Sequence, residues 1–272
     1  MRTVGCIIAR TNSSRLPKKA LKEIGNKRFI EIIIEKMKRV KGLDDLYLCT
    51  SVDSTDSILL DIARENGIKA HAGSRESVID RMLEVAKIEG ADRVIRITGD
   101  NIFTDEIYLD LMLEYHTRNA ADYTRTEFLP VGISSEVINV DCLKKAYAMM
   151  DPNQSQYLML YLFQPENFKC QVLMPENRHR HPEWSLTVDT PNDFNRTEKV
   201  LSNFDHIPNY GEMLPVLENK SIPHLEYGKA NAVRFPANLL MTYAAFRIEM
   251  EERIAHSIVT ELSEGIYYAK HA

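Results

Sequence analysis

Cysteine is scarce here. The chain has four in 272 residues (Cys6, Cys49, Cys142, Cys170), far apart and never as Cys-x-x-Cys. That spacing excludes a disulfide framework and a zinc ribbon, and it leads us to expect reduced thiols in a cytoplasmic protein. Cys6 and Cys49 fall within apolar runs, where cysteine behaves as a small hydrophobe. No apolar stretch approaches the roughly 20 residues needed to cross a bilayer. No charged-then-apolar leader is visible, so export is not expected. Repeats and low-complexity segments are missing. So is an excess of basic charge: a net charge of −5 and a pI near 5.9 argue against a nucleic-acid binder working through bulk electrostatics. There is no Gly-x-Ser-x-Gly elbow and no Walker-type Gly-Lys-Ser/Thr. Histidines 71, 116, 206, 224, 256 and 271 show no ligand spacing. What remains is ordinary for a globular protein, 44% apolar and 27% charged, with enough chain for a large core in one domain or in a domain with an appendage.

The first 120 residues alternate strand and helix. An apolar run from Val4 to Ala9 reads as a buried strand. Phe29, Ile30, Ile33, Ile34, Met37 and Val40 then recur at helical spacing. Leu46 to Cys49 is a second strand, and a helix from about Ser54 to Asn66 stops at Gly67. A strand over 68–72, a helix over about 76–89 and a strand from Arg93 to Thr98 follow. Thr104 reads as the cap of the next helix, with Asp105 and Glu106 in its first turn. This order predicts a mostly parallel sheet with helices on both faces. Beyond 120 the alternation loosens. Strands are expected near 121–126, 133–139, 168–173 and 184–188, and helices near 141–150, 154–163 and 191–204. The change of order implies some antiparallel members. We divide the chain into residues 1–205 and a mainly helical extension, 206–272. Its helix over 237–262 carries Leu239, Leu240, Tyr243, Phe246, Met250, Ile254 and Ile258 along one face. That face is expected to pack on the core or on a dimer partner.

Three stretches carry possible chemistry. Directly after the first strand, small polar residues are interleaved with cations at Arg10, Arg15, Lys18 and Lys19. Such a turn either cradles a polyphosphate with backbone N–H groups and forked donors or is a solvated basic loop. Asp100 follows the strand ending Ile97-Thr98, and Asp189 follows Leu186-Thr187-Val188. Each is either a turn or cap residue (Asp189 preceding Pro191 at the first helical position) or a ligand for a magnesium ion, which takes one or two carboxylates together with substrate phosphates. Gly73 and Ser74, with Asp80 and Arg81 in the helix that follows, either line a ligand site or form an exposed charge pair. His179-Arg180-His181 reads either as a grip for an anion or as a solvated loop.

Arg10-x-x-Ser13-x-Arg15-Leu16-Pro17-x-Lys19 after a strand resembles the signature of the cytidylyltransferases that make CMP-activated acidic sugars, most closely the spore coat polysaccharide branch. Similar too are Gly73-Ser74 with Val78-Ile79-Asp80-Arg81, then Arg96-Ile97-Thr98-Gly99-Asp100, and Thr187-Val188-Asp189-Thr190-Pro191-x-Asp193. The resemblance runs over residues 3–204. It implies a Rossmann-like nucleotidyltransferase fold and transfer of CMP from CTP to an acidic sugar in surface-glycan synthesis, with Mg²⁺ as the cofactor and a homodimer as the expected assembly. By resemblance, Arg10, Arg15 and Lys19 hold the CTP phosphates, and Ala9 and Ser13 also belong to the nucleotide-binding set. Gly73, Ser74, Asp80 and Arg81 lie near the cytidine, Asp100 and Asp189 hold the metal, and Glu136 lies near the sugar. The catalytic set is then Arg15, Lys19, Asp100 and Asp189. The chain departs from the family pattern at Lys18, where Gly is usual, and at Asn101-Ile102-Phe103, which bears on the acceptor. Use of another NTP or of a phosphorylated acceptor, a non-catalytic binding subunit and a glycosyltransferase are the competing readings.

Overall fold

The computed structural model describes residues 1–13, 15–219, 222–226, 232–234 and 240–271. In chain order the principal elements are β1 (Thr3–Ile8), α1 (Phe29–Met37), β2 (Asp45–Ser51), α2 (Ser57–Glu65), β3 (Lys69–Gly73), α3 (Val78–Glu89), β4 (Arg93–Thr98) and α4 (Glu106–Arg118). They continue with β5 (Tyr123–Thr126), β6 (Glu136–Asn139), α5 (Val140–Met149), β7 (Cys170–Met174), α6 (Pro191–Leu201), α7 (Tyr210–Glu218), α8 (Tyr243–Ala255), β8 (Ile258–Glu261) and α9 (Ile266–His271). Eight strands form one sheet in the order β8-β7-β5-β6-β4-β1-β2-β3. Only β6 runs against its neighbours; every other pairing in the sheet is parallel. The expected mixed, mostly parallel sheet with flanking helices is what the chain forms.

Strand alternation sorts the core into two layers. Val4 and Cys6 of β1, with Tyr47 and Cys49 of β2, face the layer under α3 and α5. Ile7, Leu48, Ile95 and Ile97 face the opposite layer, which is filled by α1 and α4. All four cysteines are buried free thiols. No described helix is long and apolar enough to cross a membrane.

Several expected boundaries move. Asp105, not Thr104, caps α4: its Oδ1 accepts from the backbone N–H of Ile107 at 3.0 Å and of Tyr108 at 2.8 Å. The stretch 154–163 splits into a 3-10 turn over Pro152–Tyr157 and a short helix over Met159–Leu162. Residues 184–188 do not form a sheet strand. Their amides bond three separate loops, Ser185 to Leu225 O, Leu186 to Val131 O and Val188 to Asp100 O, and Trp184 and Ser185 form only isolated bridges, with Glu226 and Val131, among the described residues. The expected helix over 237–262 is helical only over Tyr243–Ala255. A short hairpin strand, Leu240–Thr242, precedes it. The β-branched run Ile258-Val259-Thr260 leaves the helix to become β8, parallel to β7 at the sheet edge. Residues 237–239, Leu239 among them, lie outside the described residues.

The stretch after 205 is docked on the same body. Asp105 Oδ2 accepts from the Tyr210 N–H at 2.7 Å and from the buried Tyr267 hydroxyl at 2.8 Å. Lys36, fully buried, donates to Pro208 O at 2.7 Å and pairs with Glu106 at 2.9 Å. Desolvation raises the Asp105 carboxyl above the usual aspartate range.

Candidate active site

The parallel strands β1, β2 and β4 end together, and their carboxyl ends form one edge at which ligands of open α/β sheets bind. The first two turns of chain beyond β1 carry the basic loop. Asp56, buried behind it, fixes that loop by accepting from both the N–H and the hydroxyl of Thr11 at 2.7 Å and from the Ser51 hydroxyl at 2.6 Å. Burial pushes the Asp56 carboxyl up, but the hydrogen bonds from Ser51 and Thr11 outweigh it and hold the group below the ordinary aspartate value. Lys18 has φ of 55°, the left-handed conformation that glycine adopts without strain. Its N–H bonds Thr11 O at 3.1 Å, closing the loop back on itself.

The cations reach across the strand ends. Lys19 is buried and donates to Val188 O, with its Nζ 3.5 Å from Asp189 Oδ1. Arg15, largely exposed, places Nη2 2.9 Å from the same oxygen. Asp100 lies on the neighbouring segment, tied by its carbonyl to the Val188 N–H at 2.9 Å. Burial and then the nearby Asp100 charge raise the Asp189 carboxyl above the usual range, opposed by Lys19 and Arg15. Asp189 does not cap the following helix. Thr190 does, in a reciprocal box with Asp193 behind Pro191, which leaves the Asp189 carboxylate to face the cations. Gly99 permits this crowding: a Cβ there would lie 2.7 Å from Ile8 O and 2.8 Å from Ala9 Cβ.

The remaining residues singled out in the sequence divide. Ala9 is buried beside Gly99, and Ser13 Oγ accepts from the Leu16 N–H at 3.4 Å. Arg10 is exposed and donates to Arg75 O at 3.0 Å, which joins the basic loop to the Gly73 turn. Ser74 Oγ accepts from the Ser77 N–H at 3.0 Å. Arg81 is buried beneath that turn, donating to Cys49 O at 3.3 Å, and burial depresses its pKa. Asp80 instead meets Tyr147 of α5, whose hydroxyl its charge pushes up. His179 is neither a grip nor a solvated residue. It is buried among Tyr108, Tyr210 and Tyr267, bonded to the Tyr108 hydroxyl at 2.6 Å and driven down to about 4 by burial.

A cavity of about 260 Å³ is lined by Thr98 and Asn101, which flank Gly99 and Asp100 in the chain. Its walls include Arg96, Arg125, Glu127, Glu136 and, from α8, Arg247. Glu136 pairs with Arg96 and accepts from the Tyr123 hydroxyl at 2.5 Å. Burial raises its carboxyl, yet these two partners leave it below the usual range. Ser135 contributes a buried hydroxyl without a hydrogen-bond partner among the described residues. Asp56, Glu127 and Arg247 escaped the sequence reading. For Asp56 the signal available was an acidic residue just past the second strand, at the same edge as the basic loop.

The family described as cytidylyltransferase matches residues 4–222. The spore coat polysaccharide biosynthesis protein SpsF of Bacillus subtilis is 33% identical over 195 residues, which is 69% of this chain and 81% of that protein. A cytidylyltransferase structure from Leptospira borgpetersenii superposes with a TM-score of 0.77 at 25% identity, over 84% of this chain and 99% of that one. A CMP:2-keto-3-deoxy-manno-octonic acid synthetase solved with CTP has the same fold, with a TM-score of 0.60 at 19% identity over 75% of this chain and 99% of that one. With residues 4–222 matched by that family and a relative 33% identical over 69% of the chain, the chain is a member of the cytidylyltransferase family, a CTP-dependent nucleotidyltransferase.

Proposed function

We propose that this enzyme transfers CMP from CTP to a small acidic sugar with release of pyrophosphate, in the synthesis of a surface polysaccharide or related glycan. The observation that carries the reading is the meeting of Arg15 and Lys19 with Asp189, on a segment bonded to Asp100. In this reading Arg10, Arg15 and Lys19 receive the triphosphate, and the Gly73–Ser74 turn with Arg81 beneath it borders the nucleoside. The acceptor lies in the cavity lined by Thr98 and Asn101, with Glu136 in its wall. A volume of about 260 Å³ is at the small end of ligand pockets, roughly 300 Å³ and upward, and suits a monosaccharide acid rather than a polymer.

Mg²⁺ fits the two aspartates. Asp189 is raised by burial and by Asp100, so two like charges crowd at one place and a divalent cation relieves them. Among the described residues there is no cluster of three or more His, Cys, Asp or Glu side chains, so protein ligation would be by Asp100 and Asp189, with oxygens of phosphate and water completing the shell. Bound there, the ion supplies charge neutralisation at the phosphates.

In the transfer, a bond forms from the acceptor hydroxyl oxygen to the α-phosphorus while the bond to the β-phosphate oxygen breaks. The hydroxyl proton passes to water, and pyrophosphate leaves with the electron pair. Arg15 and Lys19 stand where negative charge accumulates on the leaving group, and Lys19 is held there by Val188 O. Catalysis is positioning and electrostatics, with no covalent enzyme intermediate. The test measures pyrophosphate release with each NTP, Mg²⁺ and a panel of sugar acids, with the product identified by mass. Turnover confined to CTP with a sugar acid is expected. Thermal stabilisation by CTP without turnover on any acceptor would reduce the protein to a binding subunit.

A further inference from the structure

One wall of the acceptor cavity comes from chain that the family match does not reach. That match ends at residue 222, whereas Tyr243, Phe246 and Arg247 of α8 line the cavity. Arg247 is the charged one. Its Nη1 lies 2.6 Å from Glu127 Oε2, and its guanidinium sits 4.8 Å from the centre of the Phe128 ring. Arg125 Nη2 approaches the other oxygen of Glu127 at 2.9 Å. Two guanidiniums therefore share one carboxylate, while Arg96 and Glu136 neutralise each other. Three arginines and two glutamates line the cavity, which gives its walls a net charge of +1.

The donors are also incompletely used. Arg125 Nε and Nη1 are buried and have no hydrogen-bond acceptor among the described residues. Both atoms are enclosed by protein, with the guanidinium 5.1 Å from the centre of the Phe163 ring, so the edge of Arg125 left to the cavity is the one that meets Glu127. The turn presenting Glu127 is itself held under strain: Phe128 has φ of 65°, in the left-handed region that a bulky residue rarely adopts.

We propose that Arg247, supplied by the C-terminal helix α8, acts with Arg125 to hold the acidic group of the acceptor. Glu127 keeps the two guanidiniums aligned, and the segment after residue 222 thereby sets acceptor specificity. This rests on the reading of the enzyme as one that transfers CMP to a sugar acid.

The full-length enzyme and its Arg247→Gln and Arg247→Lys variants are assayed with CTP and 3-deoxy-manno-octulosonate or another 2-keto sugar acid. Each acid is compared with its methyl ester. The expected result for Arg247→Gln is an acceptor KM raised at least tenfold, a CTP KM within twofold of the parent, and a collapsed preference for acid over ester. Arg247→Lys recovers part of that preference, because it restores charge without the fork. An unchanged acceptor KM and acid-to-ester ratio in Arg247→Gln overturns the proposal. So does an equal loss on acid and ester accompanied by a lower Tm, which would make Arg247 a strut. If the parent enzyme turns over no sugar acid at all, the proposed function itself fails and takes this inference with it.

Discussion

Arg15 Nη2 stands 2.9 Å from Asp189 Oδ1, joining the loop after the first strand to a segment deep in the second half of the chain. The exposed arginine is free to leave for a phosphate, whereas Lys19 is buried and pinned to Val188 O. Under the proposed function, the contact is a preassembled charge pair in which the nucleotide replaces one partner.

Replacing Asp189 with Asn is expected to lower kcat by about 10²–10³-fold, the scale of losing one preorganised electrostatic group. Stability should move the other way. The folded-state pKa is raised, so the favourable proton-bound form is present below the ordinary value of 3.8, and stability is lost as pH rises through the folded value. Asp189→Asn should therefore be at least as stable as the parent at pH 7, and the two should converge below about pH 4. Thermal denaturation across pH, alongside steady-state kinetics, checks both statements. A kcat near the parent's at saturating Mg²⁺ would remove Asp189 from the mechanism.

Glu136→Gln should behave in the opposite sense. Arg96 and Tyr123 hold Glu136 below its ordinary value of 4.5, so its contribution is complete above that pH and is lost as pH falls through the folded value. Breaking a buried pair by removing one partner costs about 3 kcal/mol or more at neutral pH, because Arg96 loses its paired carboxylate. Denaturant titrations should show this gap narrowing below pH 4.5. A gap independent of pH would mean that the carboxylate charge is not what stabilises the pair.

Asp56 touches no proposed ligand, yet Asp56→Ala removes three hydrogen bonds that shape the basic loop. We expect a loss of about 2 kcal/mol in stability, from donors left unsatisfied, and a CTP KM raised about tenfold. The acceptor KM should stay within twofold. Equal changes in both KM values would indicate a general loosening of the fold instead.

The parts legible in the sequence are those written in local pattern. The apolar runs Val4–Ala9, Leu46–Cys49 and Arg93–Thr98 could only be buried strands, and the intervening periodic segments could only cover them. Asp100 and Asp189 were visible because each ends such a run. Ser185–Val188 looked the same locally, but close passage of the Gly132 loop, where a Cβ would lie 2.6 Å from Thr187 N, takes its hydrogen bonds away from the sheet. Periodicity over 237–262 concealed a second signal, the β-branched Ile258-Val259-Thr260, whose partner strand β7 lies far back in the chain. The pairing of Glu127 with Arg247 was out of reach for the same reason: neither residue has a local pattern, and only the finished fold brings them together.

Gly99→Ala tests whether close approach of the strand ends sets the site. The added Cβ would lie 2.7 Å from Ile8 O and 2.8 Å from Ala9 Cβ, contacts that backbone must yield to relieve. The Gly99 N–H also bonds Ile8 O at 2.8 Å, so spreading the strands weakens that bond too. Overpacking of this kind costs about 1–3 kcal/mol. The larger effect is expected in kcat, because Asp100 follows immediately and a shift near 1 Å can cost about 10²-fold in rate. If displacement of Asp100 is the cause, adding Gly99→Ala to Asp100→Asn should lower kcat little further, because the group being moved has already been neutralised. Full additivity of the two losses would place the effect of Gly99 elsewhere, in the course of the basic loop that leaves β1 beside it.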